Sequence, residues 1–196
     1  MSLIKKYYLP LHQLLDKSKA LDGLAPLLVR LYLAPVMLQA GYNKYVGFGG
    51  VVEWFAYLGM PLPTLMAFLA MSTELIGGIL LIIGLATRWI SIPLMITMLV
   101  AAFSVHIQNG WLAIADSSSW LANDQVLASQ EKLAMAKSIL QEYGNYEWLT
   151  SSGSFTILNN GVEFAITYFV MFFCLFFYGG GRYVSVDYYL AKKYLT

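Results

Sequence analysis

Glu74 stands near the middle of LMAFLAMSTELIGGILLIIGLATRW, the stretch from Leu65 to Trp89, whose other residues are mostly apolar. At about 1.5 Å per residue, that stretch is long enough to cross a bilayer core of about 30 Å. An ionised carboxylate at the bilayer centre costs about 2.5–3.5 kcal/mol on insertion scales. Such a residue needs a proton, a partner or a polar cavity. Arg30 is the first candidate partner. It lies about 9 Å above one end of its own apolar stretch, with Glu74 about 16 Å above the same face. An extended arginine spans that difference if consecutive spans are neighbours, as consecutive elements usually are. Two readings stand for this pair: an ion pair that fixes helix register, or a proton-linked or substrate-binding site. Under the second, Glu74, Arg30 and His106 are the catalytic candidates.

A second polar group is expected toward the opposite face. Gln39 and Lys44 end the first span, His106 ends the third, and Glu163 begins the fourth beside Asn159 and Asn160. Lys44, Gln39, Glu163 and Asn160 are the ligand-binding candidates. His106 and Glu163 could act as base and acid on a head group, or touch a metal. The plainer reading is a glutamate complementing a helix dipole, with lysine and histidine as interfacial anchors. One histidine without a thiolate does not make a permanent copper or zinc site, so no metal ligand is assigned. Transient copper contact at Met37 or Met60 competes with ordinary methionine packing. Cys174 is the only cysteine, which excludes an internal disulfide and dithiol chemistry within the chain; it reads as a packing residue. No haem ligand pair, flavin fingerprint or iron–sulfur cysteine set occurs, so electron transfer would need a partner carrying the redox cofactor. A quinone would suit an apolar slot lined by Glu74, His106 and the aromatic residues of the last span. YVGFGG at 45–50 lacks the Gly-Lys-Ser/Thr ending of a phosphate loop.

The elements that must position these residues are helical. The chain has 196 residues, 59% hydrophobic and 12% charged, a balance outside the soluble range. It reads as a single all-α membrane domain, 1–196. The expected spans cover about 24–42, 65–86, 89–106 and 162–178, forming an up-down-up-down four-helix bundle. Arg30, Ala34, Met37, Gly41 and Lys44 fall on one stripe of the first span, which should face the bundle. Asp22 is its expected N-cap, and Pro35 interrupts it. A short interfacial helix is expected between Val51 and Gly59, and a tight turn around Thr87 and Arg88. Residues 1–23 read as an amphipathic segment starting near Pro10, with no secretory signal and the first span uncleaved. Residues 107–160 read as a structured loop, with a helix from Asp124 to Tyr143 stopped by Gly144 and its Val126, Leu133, Ala136 and Leu140 on one face. Trp111, Trp120, Tyr143, Tyr146 and Trp148 suit the headgroup level.

An even number of spans puts both termini on one side. Lys5, Lys6, Lys17, Lys19, Arg88, Arg182, Lys192 and Lys193 then share it, against Lys44, Lys132 and Lys137 opposite. The positive-inside rule makes the termini cytoplasmic and the 107–160 loop outward. The net charge of +1 and the lack of a basic cluster exclude a nucleic-acid surface. Lipid is the expected surrounding, the outward loop the expected surface for protein partners, and an oligomer is compatible with all of this.

The ordered set of motifs resembles the DoxX-like membrane proteins. It comprises LLVRLYLAPVMLQAGYNKY with Arg30, Gly41 and Lys44; ELIGGILLIIGLATRW with Glu74, Gly77, Gly78, Gly84 and Arg88; MLVAAFSVH; NNGVEF; and GGGRYVSVD. Pro35 departs from the pattern, since many relatives have glycine there. The long third loop, with WLAIADSSSWLAN and NYEWL, resembles the HvfX-like branch, which is associated with clusters making copper-binding peptides. The resemblance implies a four-helix protein of the bacterial inner membrane, a component of a redox or metal-stress system. An oxidoreductase subunit dependent on a partner's cofactor is one implied role. From the residues themselves, a small proton-coupled transporter of a peptide or metal species and a non-catalytic anchor recruiting partners through 107–160 stand as alternatives.

Overall fold

The computed structural model describes residues 7–195. It is helical, with no named strand among those residues. Two compact units are present among them, one of residues 7–95 together with 170–195, the other of residues 96–169.

The first unit opens with α1 (Leu9–Asp16), which leads into a 3-10 turn, Lys17–Leu21. Leu11, Leu14 and Leu15 of α1 are all exposed. The expected residues Lys5 and Lys6 of this segment lie outside the described residues. The first long helix, α2 (Leu24–Val46), has Gly23 rather than Asp22 at its N-cap and no side-chain cap. Asp22 instead pairs with Arg182 at 2.5 Å. A short helix, α3 (Phe48–Tyr57), follows and packs against α4 (Pro63–Ile83). The turn after α4 uses residues 84–86, and Thr87 and Arg88 open α5 (Thr87–Ala101) rather than forming the turn.

Glycine sets how closely α2 and α4 approach. A Cβ on Gly41 would lie 2.9 Å from the Leu75 backbone nitrogen, and one on Gly78 would lie 3.1 Å from the Ala34 carbonyl. Small residues at such a crossing let backbones meet, which is how helices associate where hydrophobic burial gives no gain. Arg30, Ala34, Met37 and Gly41 are all buried along the stripe that faces α4. The contacts also fix an antiparallel register: Gly41 lies level with Glu74 and Leu75, Ala34 with Gly78, and Arg30 with Leu81.

In the second unit the apolar helix that begins at Thr87 continues through a π-helical turn, Ala102–His106, and a 3-10 turn, Ile107–Asn109. Ala102 packs with Val162 and Ala165, and Ile166 lies against them. The long segment after it is structured. Its two ends meet at an isolated antiparallel bridge, Ile114 with Leu158. Helix α6 (Asp124–Tyr143) is capped by Asn123, not Asp124; the Asn123 side chain accepts from Val126 N at 2.9 Å. Its packed face runs through Val126 and Ser129, and Ala136 is exposed instead of sharing it. A single turn, α7 (Tyr146–Thr150), precedes the return to α8 (Glu163–Tyr178).

Among the described residues, three helices are long and apolar enough to cross a membrane: Leu24–Val46, Pro63–Ile83 and the continuous Thr87–Asn109. The fourth expected span, α8, has 16 residues. At about 1.5 Å per residue it covers about 24 Å, short of the roughly 30 Å hydrocarbon core. Glycines 179–181 break it, and α9 (Val186–Tyr194) closes the chain.

Candidate intramembrane site

Arg30 is fully buried, yet it does not meet Glu74. Its Nε donates to the Leu81 carbonyl at 2.8 Å, and its Nη2 to Ile82 at 3.2 Å and Val184 at 2.7 Å. Its Nη1 donates to the Gly180 carbonyl at 2.5 Å. Leu81 and Ile82 belong to the last turn of α4, whose carbonyls have no intrahelical partner. A guanidinium with five donors in a planar fork satisfies such a set, and its cation suits the negative end of the helix dipole. The expected Arg30–Glu74 pair therefore does not form. Arg30 lies level with Leu81, whereas Glu74 is seven residues away, about 10 Å along α4. Its side chain reaches toward the α4 terminus, where four carbonyls stabilise it.

Around Arg30 the chain is tied tightly. Gly84 has φ +66°, and a Cβ there would lie 2.7 Å from the guanidinium. Only glycine takes this backbone so close to the fork. Asp187, in the first turn of α9, accepts from the backbone nitrogens of Ala86 at 2.7 Å and Thr87 at 2.8 Å. It thereby caps the start of α5 from a distant part of the sequence. Ser185 Oγ donates to the Gly84 carbonyl at 3.2 Å. Neither Asp187 nor Ser185 was among the candidates. The signal available was the glycine run followed by Ser-x-Asp, a capping pattern that sequence alone does not attach to a particular helix.

Glu74 pairs with Lys44. The ammonium Nζ donates to Oε1 at 2.8 Å and to Oε2 at 2.7 Å. The Glu74 side chain is only 3% exposed, and that of Lys44 is 24% exposed. Gly41 makes this possible, because a Cβ there would press on Glu74 Cβ at 3.1 Å. Lys44 was expected in the other polar group. The register explains its place: Glu74 lies level with Gly41, about 7 Å short of the Val46 end of α2, and Lys44 is one turn beyond. The stripe containing both Gly41 and Lys44 was the usable signal. What it lacked was the start of α4, which begins beside α3 rather than level with the end of α2.

The remaining candidates do not join them. Gln39 is exposed and bonds along its own helix to Asn43 Oδ1 at 2.8 Å. His106 Nδ1–H donates to the Asn160 carbonyl at 2.8 Å, which requires that nitrogen to carry the proton. Asn109 Nδ2 donates to the same carbonyl at 3.1 Å, so Asn160 contributes its backbone, at φ +59°, to this contact. Glu163 Oε2 accepts from Ala113 N at 2.9 Å. Buried Asn159 donates to the carbonyls of Asn109 at 2.8 Å and Leu112 at 2.7 Å. These groups hold the ends of the long segment to each other. His106 and Glu163 are each engaged by loop backbone rather than by one another.

Among the described residues no three His, Cys, Asp or Glu side chains are gathered to hold a metal ion. Met37 is 2% exposed and packs in the helix interface, whereas Met60 is half-buried.

Residues 25–107 match the DoxX family model. That segment contains Arg30, Lys44, Glu74, Gly84 and His106. The chain is 31% identical over 90 residues to the provisionally named oxidoreductase CatD of Bacillus subtilis (strain 168), covering 46% of this chain and 66% of that one. It is 36% identical over 62 residues to inner membrane protein YphA of Escherichia coli (strain K12), covering 32% and 44% respectively. An uncharacterized protein of Haemophilus influenzae (strain ATCC 51907 / DSM 11121 / KW20 / Rd) is 32% identical over 98 residues, covering 46% and 62%. These matches thus span between 44% and 66% of the relatives' own lengths. No solved structure matches.

Proposed function

We propose that this chain is a DoxX-family multi-pass protein of the bacterial inner membrane, serving a redox system as a binding site for a quinone-like small ligand. The Lys44–Glu74 pair carries the reading. Arg30 is consumed by backbone carbonyls, whereas Lys44 and Glu74 meet as side chains between two apolar helices. A partly exposed ammonium beside a buried carboxylate offers a donor to a ligand carbonyl and an acceptor to a ligand hydroxyl, the two functions that a quinone and its quinol present. Electrons would come from a redox partner, and the name of the Bacillus subtilis relative supports that setting. Exposed Trp120, Tyr143 and Trp148 suit the 107–160 segment to a headgroup layer or to such a partner. The fourth helix of the bundle, with both termini cytoplasmic, belongs to the same proposal. A copper-peptide setting would need ligands other than Met37.

The test is the quinone content of protein purified in mild detergent, by mass spectrometry of solvent extracts. Quinone retained by the native chain and lost from Glu74→Gln and Lys44→Met supports the site. Equal content in all three, or none in the native chain, sinks it and leaves the transporter and anchor readings in front.

A further inference from the structure

A cavity in the first unit has no part in the Lys44–Glu74 site. It has a volume of about 780 Å³, within the range of small-molecule sites. Its apolar wall is made by Ala25, Pro26 and Val29 from the first turns of α2 and by Cys174 and Leu175 from the last turns of α8. At its polar rim stand Tyr178, Tyr188 and the Arg182–Asp22 ion pair. The wall therefore begins where two apolar helices begin and end, and the rim lies just beyond them. That is the geometry of a membrane–water boundary, where phenols and arginine are favoured.

Charge at this end is basic in balance. Contacts of Arg30 with Leu81 and Gly180, of Asp187 with Thr87 and of Arg182 with Ala20 gather the relevant segments here. Lys17, Lys19, Arg88, Arg182, Lys192 and Lys193 outnumber Asp16, Asp22 and Asp187 among them. Arg182 itself is only partly satisfied. Its Nη2 donates to the Lys19 carbonyl at 3.0 Å and the Ala20 carbonyl at 2.9 Å and pairs with Asp22, while its Nε is buried with no hydrogen-bond partner. The Asp22 side chain is 67% exposed, so its hold on the arginine is solvated and readily exchanged.

We infer that this cavity holds one anionic phospholipid, an acyl chain along the Val29–Leu175 wall and the phosphate at Arg182. An uncharged amphiphile would fill the wall equally well but would gain nothing from the basic rim. A soluble phosphate would find the rim without the wall. An anionic phospholipid uses both. Tyr178 and Tyr188 add hydroxyl donors at glycerol depth.

Native mass spectrometry of the full chain released from mixed micelles tests this, with phosphatidylglycerol and phosphatidylcholine of matched chains as probes. A basic residue at a membrane surface favours anionic lipid by about five-fold. The native chain should retain one phosphatidylglycerol in about that preference. Arg182→Gln should abolish the preference while leaving some of both lipids bound. Cys174→Trp, at an exposed position on the wall, should expel both while the basic rim stays intact. Thermal melting in the presence of each lipid gives the folding control: phosphatidylglycerol should raise the melting temperature of the native chain more than that of either variant. Equal retention of the two lipids by the native chain overturns the inference without reference to any variant. So does a preference that survives both substitutions, or equal stabilisation by glycerol phosphate alone. None of these outcomes depends on quinone content, so this inference and the Lys44–Glu74 site stand or fall separately.

Discussion

Removing Lys44 should damage the protein far more than removing Glu74, and removing both should damage it less than removing Lys44 alone. The asymmetry follows from exposure. Glu74 is 3% exposed at the centre of α4, so in Lys44→Met its charge is left in an apolar crossing without a partner. Breaking a buried pair in this way costs about 3–5 kcal/mol. The loss has a ceiling, because a carboxylate can take up a proton. From the ordinary glutamate value that costs about 3.7 kcal/mol at pH 7. Lys44→Met should therefore lose about 3 kcal/mol. In Glu74→Gln the orphaned lysine is already 24% exposed, in the last turn of α2, and can extend toward the Val46 end. The loss there should be about 1 kcal/mol. The double variant Lys44→Met/Glu74→Gln carries no buried charge and should recover most of the single-lysine loss. At about 2–4 °C per kcal/mol for a chain of this size, Lys44→Met should melt about 6–12 °C below the native protein. Fluorescence-detected size exclusion after heating, in one detergent throughout, reads these differences. If Lys44→Met melts within 2 °C of the native chain, on the order of measurement error, the pair is not formed in the membrane. If the double variant is worse than Lys44→Met, the loss comes from packing of the lysine stem, and the charge argument fails.

Arg30→Lys, though charge-preserving, should fail to fold stably, because a point cation cannot reproduce four bonds to the Leu81, Ile82, Gly180 and Val184 carbonyls. The loss should be about 3 kcal/mol or more, read as the yield of monodisperse protein. Gly84→Ala puts a methyl 2.7 Å from the guanidinium at φ +66°, so about 1–3 kcal/mol should be lost, whereas Gly49→Ala, with open space around its Cβ position, should be neutral in the same melting assay. Outside the membrane-spanning segments, the Ser118 hydroxyl and then its backbone N–H hold the Asp116 carboxyl below the usual aspartate range. A lowered carboxylate stabilises its turn above the ordinary aspartate value, and that contribution disappears as pH falls through the lowered one. Ser118→Ala should move the Asp116 titration, followed by NMR, back toward the ordinary value; no movement would remove the hydroxyl as the cause.

Much of this protein follows from the order of its residues. Continuous apolar runs of about 20 residues make membrane helices, because backbone polar groups in hydrocarbon must be satisfied within the helix. A polar stripe on such a helix must face protein, and Arg30, Ala34, Met37 and Gly41 are buried as that rule requires. Glu74 was recognisable as a residue in need of a partner for the same reason. Which partner it finds was decided elsewhere. Periodicity determines which face of a helix points inward, but not how far one helix slides along another. The α2–α4 register is set by Gly41 and Gly78 fitting against the opposite backbone, and by α3 displacing the start of α4. A slide of two turns would exchange Lys44 for Arg30 as the neighbour of Glu74. Likewise, the glycine run and Ser185-x-Asp187 announce a turn and a cap, but only the folded chain brings that cap to Thr87 and those carbonyls to Arg30. Local chemistry is written residue by residue, while pairing between distant residues depends on packing distances that no single helix contains.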